Sequence, residues 1–164
     1  MKELKEILFG VNIDSVYGDT NVSISSISFD SRKIKQNSVF IAIKGYYLDG
    51  HNYIDQSINN GATVVVCETL PKKINEHNIM FIKVKCSKTA LYTISSNFYD
   101  NPSSKIDLIG VTGTNGKTTI TSLLYKLFNN QGIKSGLIST INIEYEEFTE
   151  NSKNTTPDPI LLNH

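Results

Sequence analysis

The sequence holds little of what cross-linked or metal-built folds require. It has two cysteines and three histidines in 164 residues. Cys67 and Cys86 lie in separate apolar runs, which reads as two buried free thiols in a reducing compartment. His51, His77 and His164 have none of the short spacings of a structural metal site. Charge of one sign is also missing: Lys plus Arg and Asp plus Glu number 16 each, for a formal net charge of zero. A general nucleic-acid binder carries a basic excess, so that class is set aside. No apolar run reaches about 18 residues, the length that spans a bilayer. The opening MKELKEILFGVNI is charged and amphipathic, without the apolar core of about 7–15 residues found in a secretory leader. These absences predict a cytoplasmic protein with no membrane and no nucleic-acid partner. What is present, 39% apolar and 20% charged residues, suits a packed soluble chain of one ordinary domain or two small ones.

The apolar pattern alternates between strand and helix signals. Lys2–Phe9 reads as a short first helix. Asn21–Phe29 alternates Val22, Ile24 and Ile27 with small polar residues, a half-buried strand that slips once near Ser25 and Ser26. Ser38–Lys44 and Ala62–Cys67 read as more buried strands, and Ile79–Val84 as a fourth. Gly45 and Gly50 bracket a break. Tyr53–Asn60 followed by Gly61 fits a helix with a glycine stop. Thr89–Tyr99 places Leu91, Ile94 and Phe98 at helical spacing. Asn101-Pro102-Ser103-Ser104 has no apolar residue and one helix breaker, and it reads as a domain boundary.

After that boundary comes IDLIGVTGTNGKTTITSLLYKLF, from Ile106 to Phe128. Ile106–Val111 reads as a strand buried on both faces, the habit of parallel strands. Ile120, Leu123, Leu124, Leu127 and Phe128 form one apolar helical face. The turn between them nearly spells the phosphate-loop pattern G-x-x-x-x-G-K-(S/T), with Val111 where its first glycine would stand. The order strand, glycine turn, helix suits anion binding. The first turn of a helix offers backbone N–H groups without intrahelical partners, and the macrodipole makes that end positive. Lys117 reaches phosphates as a point charge, and the Thr118 hydroxyl is a magnesium ligand of the right hardness. Nucleotide binding follows from the agreement of spacing, strand and helix.

The spelling GVTGTNGKTT resembles the ATP loop of the Mur ligase family, which builds the peptide stem of cell-wall precursors and usually lacks the outer glycine. The folylpolyglutamate synthases are similar but spell G-T-N-G-K-G-S, and Thr118-Thr119 argues against them. FDSR (Phe29 to Arg32) and VFIAIKGYYLDGHNYIDQSINNGA resemble the uridine-nucleotide domain of two branches of the family. NTTPDP (Asn154 to Pro159) resembles only the branch that extends UDP-N-acetylmuramoyl-L-alanyl-D-glutamate; the MurF branch lacks the T-T-P segment. The likeness covers nearly the whole chain.

It implies an α/β protein: a small mixed α/β uridine-nucleotide-binding domain at residues 1–101, then the start of a P-loop doubly wound parallel-sheet ATPase domain at residues 106–164. The implied ATP site is Gly113, Thr114, Asn115, Gly116, Lys117, Thr118 and Thr119, with Lys117 catalytic and Thr118 on Mg²⁺. Phe29, Ser31, Tyr46, Tyr47, Leu48, Asn154, Thr155 and Thr156 match the positions that hold the UDP substrate. The implied reaction joins an amino acid to UDP-N-acetylmuramoyl-L-alanyl-D-glutamate through an acyl phosphate, with ATP and Mg²⁺, in a monomeric enzyme. Only two parallel-strand candidates follow the boundary, Ile106–Val111 and Ser135–Ile141, against about 4–6 in such sheets. The chain is therefore expected to be an N-terminal portion without ligase activity of its own.

Other readings of the same residues stay open at this stage. Asp30-Ser31-Arg32 also suits an ordinary turn with an Asp–Arg pair. Tyr46 and Tyr47 also suit an exposed apolar patch. Thr155-Thr156-Pro157 also suits a helix cap, with Asp158–Leu162 as the first turn. Glu144–Glu150 reads as a solvated loop or hairpin. A self-contained P-loop kinase or NTPase and a non-catalytic nucleotide-binding module remain as alternatives.

Overall fold

The computed structural model describes residues 1–72, 74, 79–152 and 156–164. The chain divides into two compact units, Met1–Lys105 with Asn163–His164, and Ile106–Leu162.

The first unit is a five-stranded mixed sheet with helices. In chain order its elements are β1 (Lys2–Glu3), α1 (Leu4–Ile7), β2 (Ile13–Tyr17), β3 (Ser23–Ile24), β4 (Ser26–Ser28), β5 (Ser38–Ile41), α2 (Ile54–Asn59), β6 (Ala62–Cys67), β7 (Met80–Val84) and α3 (Ser87–Phe98). Strand order is β2-β7-β6-β5-β4. β4, β5, β6 and β7 run parallel, and β2 closes one edge antiparallel to β7. A central parallel strand is covered on both faces, which explains why ATVVVC has no polar alternation. On one face Phe40, Val65, Cys67 and Phe81 pack with Ile34, Ala42, Ile54 and Ala62. Side chains alternate along a strand, so Val39, Ile41, Val64, Val66 and Ile82, all fully buried, fill the other face. Each such side chain stabilises by about 1.5–3 kcal/mol relative to exposure.

Several expected boundaries shift for visible reasons. The first helix is only Leu4–Ile7, because Lys2 and Glu3 pair instead with Ile24 and Ser23. The expected strand Asn21–Phe29 is two strands in two sheets. β3 pairs with β1, β4 pairs with β5, and the slip at Ser25 is the changeover, fixed by Ser25 N–H donating to the Asn37 carbonyl at 2.8 Å. Gly61 does end α2: its φ is +112°, and an added Cβ would lie 2.9 Å from the Gln36 side chain. Cys67 is buried and its thiol is pushed up to about 11 by desolvation. Cys86 is exposed rather than buried, because it precedes α3 instead of ending β7.

The second unit holds α4 (Lys117–Asn130), β8 (Gly136–Ile138), β9 (Asn142–Tyr145), β10 (Phe148–Asn151) and all but the last residue of α5, which begins at Pro159 and ends at Asn163. Two expectations fail here. Ile106–Val111 is not a strand, and Ile106, Leu108 and Ile109 are 63%, 86% and 57% exposed. A strand exists only through a hydrogen-bonded neighbour, and among the described residues none pairs with this segment. Ser135–Ile141 is not a parallel strand either; only Gly136–Ile138 is extended, and it pairs antiparallel with β9. The chain reverses there because Ser139 N–H donates to the Asn142 carbonyl at 2.9 Å. The acidic stretch is a hairpin: β9 and β10 pair around Glu146, whose φ is +51°. The apolar face of α4 forms as expected but is partly open, with Ile120, Leu123 and Leu127 exposed.

Candidate functional site

The turn expected to bind phosphate is shaped by two glycines. Gly113 has φ +150° and Gly116 has φ +78°, conformations that L side chains resist. Gly116 is the N-cap of α4 and has open space where a Cβ would project. Val111 is not among the residues at positive φ, so the outer position makes no demand for glycine and its replacement is tolerated. Lys117 folds back over the turn, its Nζ donating to the Gly113 carbonyl at 2.5 Å and the Thr114 carbonyl at 3.3 Å. The ammonium thus sits on the loop whose N–H groups open at the helix start. Gly113, Thr114, Asn115, Gly116, Lys117 and Thr119 are exposed, and Thr118 is half-buried. Thr121 Oγ1 donates to the Lys117 and Thr118 carbonyls at 3.0 Å each, tying down the first turn.

These donors fit a magnesium–nucleotide group. The Thr118 hydroxyl is a hard oxygen, the type magnesium prefers alongside water and phosphate. Its neighbour Thr140 Oγ1 stands at 3.5 Å, too far to engage it firmly.

Of the residues expected to hold the UDP substrate, Phe29, Ser31, Tyr46, Tyr47 and Leu48 lie in the first unit, on loops leaving the carboxyl ends of β4 and β5. Those strands are adjacent and parallel, so both loops emerge from one edge of the sheet, where open α/β sheets bind ligands. Phe29 is 38% exposed. Asp30 caps the turn Ser31–Lys33 and grips Arg32 through Nε at 2.9 Å and a second nitrogen at 2.8 Å. That hydrogen bond holds the Asp30 carboxyl below the usual range. Ser31 is buried, its hydroxyl donating to Gln56 Oε1 at 2.9 Å while its carbonyl accepts from Asn60 Nδ2 at 2.8 Å. The conspicuous Asp–Arg pair is a local clamp, and Ser31 is locked onto α2.

The second loop is a tight finger. Gly45 N–H donates to the Leu48 carbonyl at 2.8 Å and Lys44 bridges Asp49 antiparallel. At its tip Tyr46, Tyr47 and Leu48 are 94%, 92% and 67% exposed, the two rings edge to face at 5.1 Å. Gly50 is required at the base: a Cβ would meet Ile43 N at 2.7 Å. Asn154 and Thr155 lie outside the described residues; Thr156 is exposed. Asp158 caps α5, accepting from the N–H groups of Ile160 and Leu161 at 3.0 Å each.

Residue patterns did not disclose the bracing of this edge. Asp49 Oδ1 bonds His51 Nδ1 at 2.6 Å, His51 Nε2 accepts Glu68 N–H at 3.0 Å, and Glu68 Oε1 accepts from Ser87 N and Oγ at 2.8 Å each. The usable signal was Asp49-Gly50-His51, an Asp immediately before a helical turn. A shallow groove of about 510 Å³ beside Lys2, Lys5 and Phe9 holds none of the expected residues. Its Lys2 is already held by Asp100 and the Asn97 carbonyl.

Two family profiles match the chain: "Mur ligase family, catalytic domain" over residues 23–99 and "Mur ligase middle domain" over residues 111–164. A UDP-N-acetylmuramoyl-L-alanyl-D-glutamate--2,6-diaminopimelate ligase of Cytophaga hutchinsonii is 48% identical over 98% of this chain and 33% of its own length. One from Phocaeicola vulgatus is 45% identical over the same shares. The chain thus spans about a third of the length of these curated relatives. Among solved structures, MurF from Acinetobacter baumannii matches with a TM-score of 0.64 at 22% identity, covering 86% of this chain and 30% of that one, a likeness of fold.

Proposed function

The chain belongs to the Mur ligase family, and from that premise we propose that it supplies the UDP-substrate and ATP-loop parts of a cytoplasmic ligase that joins 2,6-diaminopimelate to UDP-N-acetylmuramoyl-L-alanyl-D-glutamate in peptidoglycan precursor synthesis. The amino acid is inferred from the names of relatives such as the Cytophaga hutchinsonii ligase. No helix among the described residues is long and apolar enough to cross a membrane.

In this reading residues 1–101 bind the UDP substrate and residues 106–164 open a parallel-sheet ATPase domain. Tyr46, Tyr47 and Leu48 give the uridine end an apolar surface, with Phe29 on the neighbouring loop. Ser31, through Gln56 and Asn60, holds that loop against α2. Asn154, Thr155 and Thr156 contact the muramoyl-peptide arm.

Lys117 neutralises the γ-phosphoryl group as it moves, and the Gly113–Thr119 backbone fixes its position, the two main contributions to phosphoryl transfer. A carboxylate is a poor electrophile. ATP transfers its γ-phosphoryl to the D-glutamate carboxylate, giving an acyl phosphate and ADP; the amine attacks the acyl carbon, the C–O bond to phosphate breaks with its electron pair leaving on the phosphate, and the amine nitrogen gives up a proton as the amide forms. Thr118 is the residue that would hold Mg²⁺, which when bound supplies charge neutralisation across the phosphates.

The observation that carries the proposal is the left-handed pair Gly113 and Gly116 with the Lys117 ammonium over the turn between them. The test is ADP release by the full-length protein, dependent on the UDP-muramoyl dipeptide and diaminopimelate. Lys117→Ala is expected to lower turnover by at least about 10³-fold. Full activity in that variant, or equal release without the dipeptide, overturns the reading.

A further inference from the structure

The turn after β8 brings a second hydroxyl to the first turn of α4. Thr118 Oγ1 and Thr140 Oγ1 stand 3.5 Å apart, both within the Ile106–Leu162 unit. Their approach is built by the residue before Thr140. Ser139 is 9% exposed, and its Oγ accepts the N–H groups of Ile141 at 3.2 Å and Asn142 at 3.1 Å. The same hydroxyl donates toward Asn142, to the carbonyl at 3.0 Å or to Oδ1 at 2.9 Å. Ser152 Oγ donates to the Ser139 carbonyl at 2.7 Å, fastening the turn from the other side. Thr140 is therefore placed by a hydrogen-bonded frame that does not occupy its own side chain.

The chemistry asked of Thr118 gives that placement a use. A hydroxyl has one proton and two lone pairs. To give a lone pair to a cation it must send its proton elsewhere, and a fixed acceptor decides which way it turns. At 3.5 Å the two oxygens are beyond the usual O–H···O distance of about 2.7–2.8 Å, so a shift of less than about 1 Å on loading closes the bond. Groups that orient a metal ligand from behind tune its affinity without touching the metal.

We propose that Thr140 is a positioning residue whose hydroxyl accepts a hydrogen bond from Thr118 and so turns the Thr118 lone pair toward the magnesium of bound nucleotide. This rests on the ATP-loop reading above. Thr140 lies in the stretch from which a strand was expected, and the sequence pattern gave no reason to single it out.

The test is calorimetric titration of the full-length protein with ATP, once with Mg²⁺ and once with EDTA. Thr140→Val keeps the shape and removes the acceptor. It is expected to weaken ATP binding about tenfold with Mg²⁺ and to leave binding in EDTA unchanged; Thr140→Ser is expected to restore it. Unchanged affinity with Mg²⁺ overturns the proposal, as does an equal loss in both conditions, which would mark a structural role. Lys117→Ala serves as the separate control, since it is expected to weaken ATP binding in both conditions. If Lys117→Ala binds as the wild type does, the loop reading falls, whatever Thr140 shows.

Discussion

The Nε2 atom of His51 accepts the backbone N–H of Glu68 at 3.0 Å, joining the loop after β5 to the carboxyl end of β6. An acceptor nitrogen carries no proton, so the ring is the neutral tautomer with its hydrogen on Nδ1, donated to Asp49. Asp49 in turn accepts His51 N–H at 2.9 Å. The base of the tyrosine finger is thus held by two linked side chains, Asp49 on the His51 N–H and the His51 ring on the Glu68 N–H.

Replacing His51 by Ala leaves the Glu68 amide without its acceptor at a half-buried position. The expected cost is about 1–2 kcal/mol of stability, read as a lower urea midpoint. Hydrogen exchange at Glu68 should accelerate more than at the centre of β6, where the sheet ladder is intact. If Glu68 exchange is unchanged, the ring is not bracing that strand end.

Acid sensitivity follows from the same row of bonds. Ser87 N–H holds the Glu68 carboxyl below its usual range, and His51 N–H does the same for Asp49. A carboxylate whose native pKa is depressed adds stability above its unfolded value, near about 4, and that stability is lost as pH falls through the native value. Glu68→Gln should therefore destabilise at pH 7, by about 0.5–2 kcal/mol as for a lost helix cap. It should also make the decline of stability below about pH 4 shallower than in the parent. Parallel acid limbs in the two proteins would remove Glu68 from the pH response.

What could be read in advance was local. The strand Ala62–Cys67 and the stop at Gly61 are written in consecutive residues, and the glycine turn before Lys117 is written in its spacing. Bonds across the chain were not. Ser31 meets Gln56 and Asn60, 25 and 29 residues away, and His51 meets Glu68 17 residues away. β2 escaped notice because Ile13–Tyr17 is an edge strand with only partial burial. Ile106–Val111 shows the converse: its apolar pattern describes neighbours that the chain itself must supply, and without pairing those side chains stand exposed. A pattern reports the environment a segment is suited to; burial needs the partner.

Tyr46 and Tyr47 separate stability from binding most cleanly. Both residues are more than nine-tenths exposed, at 94% and 92%, and their rings stand edge to face. Removing them should leave the melting midpoint nearly unchanged, since surface substitutions of this kind fall within about ±0.5 kcal/mol. A side chain that the fold does not use, held at the tip of a turn closed by Gly45 and Leu48, is available to a ligand. Base–aromatic stacking is worth about 1–3 kcal/mol per base, so Tyr46→Ala or Tyr47→Ala should weaken binding of the UDP-muramoyl dipeptide by roughly 5–150-fold. The two variants need not be equal, because the rings stand 76° apart and only one of them can lie parallel to a single uracil. Loss of stability without loss of UDP-substrate affinity would instead make the pair a packing element, and the uridine end of the site would have to be sought on the Phe29 loop alone.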